Sequence, residues 1–70
     1  MVTRMKIERI KREMSQQGLA EVAGVAVGDI SRIETGRMRP YPSQAARLAR
    51  VLCLPEEELQ EPVAVEAAAR

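Results

Sequence analysis

The sequence predicts an all-α fold, a compact domain of five short helices, on three observations. Leu, Ile, Val, Ala and Met carry nearly all of the apolar content, and Tyr41 is the one aromatic residue. β-Branched residues do not alternate with polar ones, as a half-buried strand would require. Ser, Gly and Pro recur at intervals that cap and stop short helices joined by tight connections, with no internal repeat or low-complexity tract. Seventy residues allow one domain, and a chain of that length buries only roughly 60% of its unfolded surface.

Each element has its own justification. Thr3 caps a first helix that runs to about Glu13, with Ile7, Ile10 and Met14 as its buried stripe at helical spacing. Ser15 caps a second helix and Gly24 stops it. A third helix runs from Ala26 or Val27 to Thr35 and ends at Gly36. After "RMRPYP", Ser43 caps a fourth helix that turns Ala46, Ala49 and either Val51 or Leu52 inward. Pro55 suits the first turn of a fifth, "PEEELQ", whose Glu residues complement the positive end of the helix dipole, and Pro62 ends it. Residues 1–62 thus form the domain. The tail, 63–70, is expected either to fray or to join a dimer interface through Val63 and Val65.

Charge is unevenly spread. Residues 1–50 hold ten of the eleven basic side chains against five acids, and residues 51–70 hold one basic side chain against five acids. The basic part suits a polyanion and the acidic end suits solvent or a partner, although helical surfaces are commonly charged for solubility alone. Cys53 has no second Cys to pair with, and nothing in the chain reads as a secretory or transmembrane segment, so a soluble, cytoplasmic protein without membrane contact is the expectation. There is no His, no metal-ligand cluster, no Gly-rich phosphate loop and no nucleophile–base pair. Neither enzymatic chemistry nor a cofactor or metal is therefore expected.

The middle of the chain is more specific. Two helices joined by a short turn containing Gly suggest a helix-turn-helix. Ala20 falls where such helices cross most closely, and Gly24 falls at the turn, where a left-handed backbone is cheap only without a Cβ. Leu19, Ala23 and Val25 line the inner side of the first helix and the turn, and Ile30 and Ile33 line that of the second.

Through "MSQQGLAEVAG", "VAVGDISRIETGRMRP" and "LARVLCLPEEEL", the sequence resembles the Cro/cI-type, or XRE, family of helix-turn-helix proteins over residues 14–60 without a gap. The resemblance implies a five-helix, lambda-repressor-like DNA-binding domain that works as a dimer on operator DNA. The third helix would enter the major groove by its N-terminal end while the second crosses the phosphate backbone. In this register Ser15 and Gln16 open the second helix, where backbone N–H groups and an amide suit a phosphate; plain capping needs only Ser15. Val27, Gly28, Ser31 and Arg32 occupy the groove-facing positions. Arg32 is the best base reader, since a guanidinium matches guanine O6 and N7, and its bland alternative is a surface salt bridge. Val27 suits a thymine methyl and Gly28 a close backbone approach. Asp29 suits either cytosine N4 or the first turn of a helix. Arg37, Arg39 and Tyr41 in the following loop suit phosphates, or only solvent.

The resemblance also implies a buried ion pair between Glu34 and the first helix. The ungapped register nominates Arg9, and a register shifted by two residues nominates Lys11. The chain departs from the family in having no side-chain amide in the third helix and no capping oxygen at Ala26, and in placing Glu13 and Cys53 where Gly is common. Gly18 inside the second helix suits close approach to DNA or a neighbour. The preferred reading is a sequence-specific transcriptional regulator, a repressor on two-fold operator DNA, acting as a homodimer through Leu59, Val63 and Val65. The alternatives are a protein-interaction module on the same scaffold and the DNA-binding antitoxin of a toxin–antitoxin pair.

Overall fold

The caps and stops direct four α-helices among residues 2–63, which the computed structural model describes: α1 (Arg4–Lys11), α2 (Gln16–Ala23), α3 (Val27–Glu34) and α4 (Pro42–Leu52). The expected fifth helix does not form. "PEEELQ" makes a single 3-10 turn, Glu56–Glu58, held by bonds from Glu58 N–H to Pro55 O at 3.0 Å and from Leu59 N–H to Glu56 O at 3.2 Å. Adjacent carboxylates repel one another, and Pro62 disfavours helical geometry in the residue before it, so the segment is too short to pass beyond one turn.

Two strands that the sequence does not predict join the two ends of the described segment. β1 (Val2–Thr3) pairs antiparallel with β2 (Pro62–Val63), with Val2 opposite Val63 and Thr3 opposite Pro62. Two residues are too few to show an alternating pattern. The pairing continues as Arg4 N–H donates to Glu61 O at 2.8 Å and Met5 N–H to Leu59 O at 3.0 Å.

Every helix contributes to one core. Met5 of α1, Leu19 of α2, Ile30 and Ile33 of α3, Leu48 and Leu52 of α4, and Leu59 beyond the 3-10 turn are completely buried. On α1 this corrects the expected stripe: Met5 and Arg9 face inward, Ile7 and Met14 are half-buried, and Ile10 is 53% exposed. An ion pair, described below, turns the Arg9 face rather than the isoleucine face into the protein. On α4 the inner residues are Ala45, Leu48 and Leu52, with Ala46, Ala49 and Val51 half-buried. That helix starts before Ser43, with Tyr41 as N-cap and Pro42 in the first turn, where a missing N–H costs nothing. Gln44 completes the cap, its Oε1 accepting from Tyr41 N–H at 3.0 Å.

Leu59 is a further correction. Its place among Glu residues in the sequence suggests a self-association surface, yet it is a core residue. Val63 is half-buried in β2, and Val65 lies outside the described residues.

Candidate nucleic-acid interface

The site is built on α2, its turn and α3. Ser15 caps α2 by accepting from Gly18 N–H at 2.9 Å. A Cβ on Gly18 would meet this same hydroxyl at 3.2 Å, so the neighbour that Gly18 accommodates is its own cap. Gly24 ends α2 at φ +68°, and Val25 N–H returns to Ala20 O at 3.0 Å. The reversal lets Leu19, Ala20 and Ala23 share one apolar cluster with Val25, Ile30 and Ile33.

Burial then orients α3. Ile30, Ile33 and Glu34 point inward, which leaves Val27, Gly28 and Arg32 exposed and Ser31 and Asp29 half-buried. Gly36, at φ +77°, closes the helix through bonds from its own N–H to Ile33 O at 3.1 Å and from Arg37 N–H to Arg32 O at 2.8 Å. This helix-ending motif needs a left-handed residue, which glycine supplies without Cβ strain. Arg37 therefore leaves the helix end at once as an exposed cation, followed by exposed Arg39 and by Tyr41, which is 64% exposed.

The sequence-nominated ion pair has a definite geometry. Arg9 grips Glu34 side-on, Nε to Oε2 at 2.6 Å and Nη2 to Oε1 at 3.2 Å, while its Nη1 donates to Met14 O at 2.8 Å. Lys11 lies instead 3.6 Å from Glu8. Glu34 is 3% exposed, and its Oε1 also accepts from Gln16 Nε2 at 3.0 Å. Gln16 thus spends one of its two amide N–H groups on the buried pair, and the backbone of the first turn of α2 is the other donor set that suits an anion.

Arg32 and Asp29 are also engaged. Arg32 Nη1 donates to Asp29 Oδ1 at 3.1 Å, and Asp29 Oδ2 accepts from Gln44 Nε2 at 3.0 Å. With both oxygens occupied inside the protein, Asp29 has less to offer a cytosine. Arg39 shares a shallow groove of about 610 Å³ with Glu56, Glu57 and Glu61, although no carboxylate among the described residues lies within 4 Å of it.

The order of these parts, helix, left-handed turn, helix with an outward polar edge, agrees with a comparison against family models, where the model described as "Helix-turn-helix domain" matches residues 1–61. The chain belongs to the helix-turn-helix domain family. A comparison with curated proteins gives no match. In DNA-binding helix-turn-helix proteins the second helix of the motif lies in the major groove, and the helix at that place in the motif here is α3. Among the described residues no group of three or more His, Cys, Asp or Glu side chains is placed to hold a metal ion, and no helix is long and apolar enough to cross a membrane.

Two residues of this helix-turn-helix domain had no role in the sequence reading. Gln44 caps α4 and bonds to α3, and Gln60 donates to Ile33 O at 3.1 Å and to Met38 O at 2.6 Å, which ties the loop after α3 to the segment that follows the 3-10 turn. The first had a usable signal. Gln three residues after a cap is half of a capping box, but placing the cap at Ser43 moved Gln44 out of that position.

Proposed function

We propose that the chain is a sequence-specific DNA-binding transcriptional regulator of the Cro/cI type, a repressor that binds two-fold operator DNA as a homodimer. The observation that carries this reading is the outer edge of α3: Val27, Gly28, Ser31 and Arg32 stand away from the core, directly followed by exposed Arg37 and Arg39. Arg32 reads a base, with Val27 and Gly28 at the groove wall and Ser31 beside them. The backbone of Ser15 and Gln16, with Arg37, Arg39 and Tyr41, holds phosphates. A domain of this size buries about 600–1,000 Å² on DNA, so tight binding calls for two copies on half-sites roughly 34–36 Å apart.

Selection of bound sites from random duplex DNA tests the reading, with recovered motifs scored for two-fold symmetry. Affinity should fall steeply with salt. Arg32→Ala should cost about 1–3 kcal/mol on the selected site and relax one base pair, whereas Arg39→Ala should weaken all sequences alike. Weak, equal binding to every sequence would favour the second reading, a protein-interaction module or an antitoxin with a protein partner. The exposure of Val22 (65%) and Val27 (40%) supports that reading. Sedimentation of the complex gives stoichiometry; one copy on an asymmetric site would remove the homodimer.

A further inference from the structure

We infer that Gln44, outside the recognition helix, is a specificity-determining positioning residue that holds Arg32 in its base-reading geometry through Asp29; the inference rests on the DNA-reading proposal above. Arg32 is 60% exposed at its side chain and pairs with Asp29 three positions earlier on the same helix. An exposed pair of this kind contributes little by itself, and a free arginine side chain samples many rotamers. Here the pair is anchored. Asp29, only 25% exposed at its side chain, gives its second oxygen to Gln44 Nε2 at 3.0 Å, and Gln44 Oε1 takes Tyr41 N–H at 3.0 Å. The relay therefore runs from a solvent-facing guanidinium through a carboxylate and an amide to backbone at the start of α4. Each link restricts the next, and side-chain exposure falls from Arg32 at 60% to Asp29 at 25%.

The free edge of the guanidinium suits the task. Only Nη1 of Arg32 is engaged among the described residues, which leaves the Nε–Nη2 edge open. Arg9 uses that same edge to grip the carboxylate of Glu34, and a guanine presents O6 and N7 to it in the same two-point way. The head group lies over position 28, where even a Cβ would stand 3.6 Å from Nη1, in ordinary contact. The relay also ends at Tyr41, in the loop that carries Arg37 and Arg39, so the base-reading and phosphate-holding parts share one anchor.

Gln44→Glu isolates the effect. Its carboxylate still accepts from Tyr41 N–H at a helix start that favours negative charge, so α4 keeps its cap, but it has no proton to donate to Asp29 and repels it. The probes are the duplex selected by the native chain and single-base-pair variants of it. Gln44→Glu should lower discrimination about tenfold at the base pair that Arg32→Ala relaxes, and leave the other positions unchanged. Any uniform loss from the added charge cancels in that ratio. Asp29→Ala should relax the same base pair, and the double variant should lose no more than Asp29→Ala alone. Discrimination that survives in Gln44→Glu, or an Asp29→Ala effect at a different base pair, overturns the relay while leaving DNA reading intact. Recovery of no motif by the native chain removes base reading itself, and this role with it.

Discussion

At the residue scale, Glu34 shows how a buried charge is made tolerable. Its carboxylate takes three hydrogen bonds, two from Arg9 and one from Gln16, and its backbone oxygen takes Thr3 Oγ1 at 3.1 Å. No buried side-chain polar atom among the described residues is left without a partner. Dehydrating two charges is costly, so the pair need not add net stability over an apolar one, but removing one member strands the other. Glu34→Ala should therefore destabilise the fold by about 3–5 kcal/mol, whereas the double variant Arg9→Met, Glu34→Leu should recover most of that loss. Thermal melts of the two decide it, and a Glu34→Ala melt equal to native would place the pair at the surface energetically. Gln16→Ala should lower stability as well as any DNA affinity, because its amide serves the pair first. The residue types of this network were visible in the sequence, as was the candidate Arg9. That Gln16 turns inward to Glu34 was not, because an amide at a helix start serves a phosphate or a neighbour equally well until the packing of α3 is known.

At the element scale, all four α-helices end in the same way, on a left-handed residue followed by an N–H that returns to the carbonyl five residues earlier. Glu13, Gly24, Gly36 and Cys53 have φ of 55°, 68°, 77° and 55°, and the returning groups are those of Met14, Val25, Arg37 and Leu54. Glycine adopts this conformation freely, while a side chain adds steric strain. Glu13→Gly and Cys53→Gly should each stabilise the domain by about 0.5–1 kcal/mol after the extra backbone entropy of glycine is counted, and their effects should add. Equal or lower melting temperatures for both would mean that the strain is relieved locally. This ending explains what the sequence revealed. Gly24 and Gly36 marked the stops of α2 and α3 closely, because the residue type and the geometry agree. Glu13 gave no such mark, and α1 stops at Lys11 instead of reaching Glu13. The 3-10 turn reads as a helix in the sequence for a related reason: Pro55 and three Glu residues are favourable at a helix start, but local preference does not supply the length a helix needs.

At the scale of the whole molecule, the two ends of the domain close the core together. β1 and β2 pair, Met5 N–H bonds to Leu59 O, and the Met5 and Leu59 side chains are both completely buried. Beside Leu59, Gln60 fastens Ile33 O and Met38 O, so the closure also holds the loop that follows α3. Deleting a buried leucine side chain costs about 2–5 kcal/mol. Native stability runs at about 0.05–0.15 kcal/mol per residue, so in a chain this short the loss takes a large share of the total. Leu59→Ala should consequently lower the melting temperature sharply and weaken DNA binding through the loosened loop, though position 59 touches no proposed contact. Val63→Glu, at the half-buried edge of the small sheet, should be far milder in stability and serves as the probe of self-association that Leu59 cannot be. Hydrogen exchange separates the two effects: in Leu59→Ala the amides of Met5 and Arg4 should lose protection along with the core of α4, since their acceptors lie in the segment that Leu59 anchors. Retention of native protection at Met5 and Arg4, with an unchanged melt, would show that the strands close the domain without the leucine.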